Sequence, residues 1–148
     1  MLEPSTQNEQ PAHVRHYGPH VVWIEPPDIF GIRFMGPLTA EQLRGILAWQ
    51  DEFGHGKSPL FVICDLSRIG STNDETRKCL HERSGKDNAT VSVCYGMSFA
   101  IRILVEMIDR ARRYLGRDPH SELIMVANEA EARAYIEKRR GRNLPAQR

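Results

Sequence analysis

Six polar residues within ten positions, Asp65, Ser67, Ser71, Thr72, Asn73 and Asp74, form the densest concentration of side-chain chemistry in this chain. Hydroxyls and carboxylates at that spacing suit nucleophilic attack, cation binding, or recognition through hydrogen bonds. Attack requires a base beside the hydroxyl, and no histidine stands in a motif that would activate Ser67 or Ser71. A carboxylate directly before a turn accepts hydrogen bonds from loop amides, so Asp65 is expected to anchor the loop. Thr72, Asn73 and Asp74 are the types that cap a helix and complement its dipole. The stretch therefore points to recognition: Ser67, Ser71, Thr72, Asn73 and Asp74 are candidate partner-binding residues, and no catalytic residue is expected.

The remaining reactive side chains add little to this. His13, His16 and His20 are closely spaced, but they lack nearby cysteine or carboxylate ligands and straddle Pro19. Zinc needs convergent, pre-oriented ligands, so no metal site is expected. The three cysteines, Cys64, Cys79 and Cys94, lack metal-site spacing and fall in apolar elements, where buried reduced thiols are expected. Nothing in the chain calls for a cofactor.

The elements that must position these residues are legible from periodicity. Leu60 to Cys64 is a short apolar run ending at Asp65, which reads as a strand buried on both faces, as parallel sheets require. Its carboxyl end is where open α/β sheets place binding surfaces. Before it, residues 20–25 and 29–35 read as two antiparallel strands joined across Pro26, Pro27 and Asp28. Gly36, Pro37 and Leu38 break the second strand, and Thr39 with Gln42 opens a helix to about residue 53. Thr72 with Glu75 is a second capping box, for a helix that Gly85 to Asn88 end. Residues 89–95 follow as a strand. Ser98 caps a long helix that ends at Gly116, residues 122–127 form the last strand, and Asn128 with Glu131 caps the last helix. The predicted order is ββαβαβαβα, an α/β fold with a mixed, mainly parallel five-stranded sheet and about four helices. Residues 1–19 are expected to be a flexible leader, 20–140 a single domain, and 141–148 a basic flexible tail.

This order, with the segment Cys64-Asp65-Leu66-Ser67-Arg68-Ile69, resembles the STAS domains, and within them the SpoIIAA-like, anti-sigma-factor-antagonist-like branch. The resemblance covers roughly residues 20–140. It implies a non-enzymatic bacterial switch that binds a regulatory protein, anti-sigma-factor or kinase-like; some members bind nucleotides or small apolar ligands. In the antagonists a phosphorylatable serine lies nine positions after the motif's aspartate, and here that position is Asp74. A carboxylate there cannot accept phosphate, and it carries less charge and fewer acceptor oxygens than phosphoserine does.

Size and charge agree with a binding role. The chain has 148 residues, 41% hydrophobic and 26% charged, with a net charge of +1, which gives no general attraction for nucleic acid. No stretch is long and apolar enough to span a membrane, and the amino terminus lacks a secretion signal, so a cytoplasmic location is expected. The long helix carries more apolar surface than one core face needs: Phe99, Ile103, Met107 and Tyr114 form a ridge beside the inward-facing Ile101, Leu104, Val105 and Ile108. Such a ridge requires a cover, either another part of the chain, a second copy in a homo-oligomer, or an apolar ligand. The leading expectation is a regulatory interaction module that presents the loop and helix after Asp65. The alternative is a carrier or sensor of a small apolar ligand held between the long helix and the sheet.

Overall fold

The computed structural model describes residues 13–82, 89–114 and 121–143. Strands β1 (Val14–Tyr17), β2 (His20–Glu25) and β3 (Ile29–Leu38) form an antiparallel meander. Strands β4 (Leu60–Thr72), β5 (Thr90–Tyr95) and β6 (Ser121–Met125) continue the sheet in parallel from β3. Sheet order equals chain order across all six strands. Helices α1 (Ala40–Gly54), α2 (Asp74–Glu82) and α3 (Phe99–Tyr114) connect the parallel strands, and α4 (Glu129–Asn143) follows β6. Right-handed crossovers between successive parallel strands place α1, α2 and α3 on one face. There Phe30, Ile32, Val62 and Leu66 pack against Leu43, Ile46 and Trp49. On the other face α4 packs Ala132 and Ile136 against Phe61, Ile63, Val91 and Val93. Each such large side chain, removed from water, contributes about 1.5–3 kcal/mol.

Three features differ from the sequence-based expectation. The sheet has a sixth strand, β1, inside the stretch expected to be leader. It forms because Gly18, at φ 63°, supplies the positive φ of a tight hairpin turn, and Tyr17 pairs with His20. Tyr17 then packs on α1, where a Cβ on Gly45 would lie 2.8 Å from its ring. Second, β3 and β4 both run past their expected ends, to Leu38 and Thr72. Their pairing continues through Met35↔Arg68, Gly36↔Ile69 and Leu38↔Thr72 across two register shifts. That closeness needs glycine: a Cβ on Gly70 would come within 2.7 Å of the Gly36 and Pro37 backbone. Residues 66–72 are therefore strand, not loop.

Third, α2 starts one residue later than the Thr72/Glu75 box implies. The Asn73 side chain is the cap, accepting from the Thr76 amide and hydroxyl at 2.8 Å each. The Thr39/Gln42 box of α1 is present with both bonds at 3.1 Å. Ser98 and Asn128 cap α3 and α4 by accepting from Ile101 and Glu131 amides. The last helix runs to Asn143, three residues into the expected 141–148 tail, while the rest of that tail, residues 1–12 of the expected leader and the expected helix ends at Gly85–Asn88 and at Gly116 lie outside the described residues.

His20 is fully buried and structural. Its Nδ1 accepts from the Met35 amide at 2.9 Å, which puts the proton on Nε2, within 3.0 Å of the Pro37 carbonyl and 3.2 Å of Gln42 Oε1. This one ring ties β2 to the irregular end of β3 and to the cap of α1.

Candidate functional site

Along β4 the period-two alternation sends Val62, Cys64 and Leu66 toward α1–α3, and Ile63 and Asp65 toward the opposite face. The carboxyl end of the strand therefore divides its polar residues between two environments. On the α4 side, Asp65 Oδ1 accepts from the Ser67 amide at 3.0 Å and from the Ser67 hydroxyl at 2.7 Å. Asp65 Oδ2 accepts from Arg33 Nε at 3.2 Å. Burial pushes the Asp65 carboxyl up, but the Ser67 hydroxyl and amide and the Arg33 guanidinium together hold it below its ordinary value. Ser67 is thus engaged with Asp65, up-strand of the other candidates.

Ser71, Thr72, Asn73 and Asp74 are contiguous at the start of α2. Asp74 is at the first helical position with its side chain 98% exposed, and it accepts from Arg77 Nη2 at 2.6 Å. Arg77 Nη1 donates to the Thr72 carbonyl and hydroxyl, both at 3.2 Å. Asn73 is occupied by its cap. Ser71 is exposed. Four of the five candidate partner-binding residues thus form one surface strip, and Asp65 with Ser67 forms a separate tether.

Beside this strip is a feature that sequence alone does not reveal. The inward residues of α3, Ile101, Leu104, Val105 and Ile108, are only half-buried, because the helix stands off the sheet. A cavity of about 220 Å³ lies beneath it, floored by Val62, Cys64, Cys94 and Leu123 and walled by Leu43 and Leu47 of α1 and Leu80 of α2. Cys64 and Cys94 face one another across β4 and β5. Hydrogen bonding with Cys94, and then burial, hold the Cys64 thiol well above its ordinary value. Polar residues are the minority of the lining: Ser92 stands in the floor between Val62 and Leu123, and Gln50 comes from α1. Thr90 and Ser121 lie paired at the amino ends of β5 and β6, Asp109 lines the cavity from α3, and Thr72, Thr76 and Arg77 line it from the start of α2.

The outer ridge of α3 is exposed: Phe99 at 79%, Met107 at 57% and Ile103 at 40%. The side chain of Tyr114 lies outside the described residues. Cover by the last helix does not occur, since α4 packs on the opposite face. Among the described residues no group of three or more His, Cys, Asp or Glu gathers to hold a metal, and no helix is long and apolar enough to cross a membrane.

No protein-family model and no curated protein sequence matches the chain. Solved structures similar to this chain include two SpoIIAA-like folds. One is an uncharacterized protein of the DUF3478 family with a SpoIIAA-like fold from Shewanella loihica, at TM-score 0.53 and 16% identity, covering 77% of this chain and 89% of that one. The other is the anti-sigma factor antagonist SpoIIAA in its unphosphorylated form, at TM-score 0.52 and 15% identity, covering 81% of this chain and 96% of that one. Among the described residues, six strands in chain order, parallel from β3 onward, with three helices on one face and a fourth on the other, give this chain a SpoIIAA-like, STAS-type fold.

Proposed function

We propose that this protein is a non-enzymatic binding module that holds a small apolar ligand between α3 and the sheet. The observation that carries this reading is the cavity itself. Its volume of about 220 Å³ exceeds the ~150 Å³ of an engineered apolar cavity that stays dry and takes up benzene. Apolar walls with a few polar groups at the ends are the usual composition of a ligand pocket. A helix held off its sheet also forgoes burial that closer packing would supply, and a ligand restores it.

The test is native mass spectrometry of freshly purified protein, paired with uptake of the fluorescent probe anilinonaphthalene sulfonate. The wild type is expected to carry extra mass or to take up the probe. Val105→Trp, which fills the space beneath α3, should do neither while keeping its circular dichroism. Equal uptake by both proteins, or none by either, overturns the reading.

A second reading is favoured by Asp74 and by the likeness to an anti-sigma factor antagonist. In it the strip Ser71–Asp74, with Ser67 behind it, is the docking surface for a regulatory protein, anti-sigma-factor or kinase-like. Asp74 there supplies a constant negative charge at a helix start without phosphorylation. The exposed ridge of Phe99, Ile103 and Met107 is in either reading the candidate seam of a homo-oligomer, to which the sequence spacing adds Tyr114. Loss of partner binding in Asp74→Lys with an unchanged melting temperature would support the docking surface; retained binding would remove it.

A further inference from the structure

We propose that the ligand of this cavity is an amphipathic acid, an apolar chain or ring system bearing one carboxylate, with the acid placed at Arg77. The proposal rests on the reading of the cavity as a ligand site and goes beyond it by naming the head group. Among the described residues Arg77 is the one cationic side chain that lines the cavity, at its α2 end, and most of the remaining lining is aliphatic, with the Cys64 and Cys94 thiols in the floor. Its bonds to the Thr72 carbonyl, the Thr72 hydroxyl and Asp74 use at most three of the five N–H donors of a guanidinium. Those three bonds hold the guanidinium in place.

The competing anion is weak. Asp74 is 98% exposed, so water screens its ion pair with Arg77. A ligand carboxylate inside the cavity is less screened, and a planar guanidinium accommodates a second carboxylate without releasing the first. The opposite end of the cavity has the reverse character. Asp109 is buried and already engaged, and Thr90 and Ser121, paired at the amino ends of β5 and β6, add neutral hydroxyls to the lining. Among the described residues, that end offers a ligand acid no cationic side chain. The molecule is therefore oriented, with its acid toward the start of α2 and its apolar body under α3.

Calorimetric titration with decanoate, decanol and decylamine at neutral pH tests this. The wild type is expected to prefer decanoate over decanol by about tenfold, the value of one charge-assisted hydrogen bond. Arg77→Met should abolish that preference and leave decanol binding unchanged. Asp74→Asn, which keeps Arg77 in place and neutralises its exposed partner, should retain or raise the preference, so the outcome does not depend on how well Arg77→Met folds. Equal binding of decanoate and decanol by the wild type, preference for decylamine, or a decanoate preference that survives Arg77→Met overturns the assignment. Failure to bind any of the three probes overturns the ligand reading beneath it as well.

Discussion

The two faces of the sheet are closed by helices in opposite ways. On one face α4 is clamped. Ala132 and Ile136 are buried to 0% and 1% exposure. Arg133 holds Glu25 with two bonds, at 2.8 and 2.7 Å, and Arg139 and Arg140 reach Glu122 and Asp28 from the same helix. On the other face α3 carries the more regular apolar pattern, yet its inward residues are half-buried and a cavity separates it from the strands. The contrast teaches that apolar periodicity specifies which way a helix faces, not how closely it approaches. Approach is set by what lies between, and under α3 the small side chains Ser92, Cys64 and Cys94 leave a gap. The close fit lies under α4 and the room for a ligand under α3, while α1 closes the rest of that second face with Leu43, Ile46 and Trp49.

The largest effect that distinguishes the faces is expected from core truncation. Ile136→Ala removes a fully buried side chain and should cost about 2–4 kcal/mol in urea unfolding. Leu104→Ala borders space that is already open and should cost less than about 1 kcal/mol. A comparable loss at both sites would erase the distinction. Next, Asp65→Ala leaves the Ser67 amide and Arg33 without their acceptor and should cost about 1–3 kcal/mol. Asp74→Ala should cost less than Asp65→Ala, and thermal melts that rank them the other way would refute the assignment of tether and recognition strip.

A smaller effect concerns pH and the α4 clamp. The Arg133 fork lowers the Glu25 carboxyl below its ordinary value, helped by the Trp23 indole, while burial opposes it. A carboxyl depressed in the folded state contributes stability that is fully present above its unfolded value of about 4.3 and is lost as pH falls through the folded value. Wild-type stability should therefore fall more than that of Arg133→Met between about pH 5 and about pH 3. At neutral pH the substitution should cost roughly 1 kcal/mol, because the pair is partly exposed. Parallel pH profiles would show that the clamp contributes nothing through charge. The smallest change in stability, though a clear one in mass, is expected from the ridge: Ile103→Glu with Met107→Glu should convert any sedimenting dimer to monomer without altering the melt.

Much of this fold was legible in the sequence because its signals are local. The Thr39/Gln42 box, the Ser98 and Asn128 caps and the Leu60–Cys64 run each state their own geometry. The misses have equally specific causes. β1 is polar, with Arg15 and His16 between its end residues, and only its pairing with β2 makes it a strand. The extension of β4 to Thr72 depends on pairing with β3 across two register shifts, at each of which β4 carries one extra residue, and no local pattern in β4 announces them. Thr72 and Asn73 are both competent caps, and the strand's claim on Thr72 leaves the role to Asn73. At the candidate site the strip Ser71–Asp74 could be read from residue types. The cavity could not, since Ile101, Leu104, Val105 and Ile108 have the same spacing whether they touch the sheet or stand away from it. Arg77 gave a weak signal: it is one turn from Asp74, but its place at the cavity depends on the helix's position.

Hydrogen exchange of α3 and α4, measured with and without saturating decanoate, tests the central claim most directly. In the free protein α3 amides should exchange faster than those of α4, since local opening follows local burial. Decanoate should slow exchange in α3 by about tenfold or more and leave α4 unchanged except for any gain in global stability. Equal protection of the two helices in the free protein, or ligand-induced slowing confined to α4, would contradict the account.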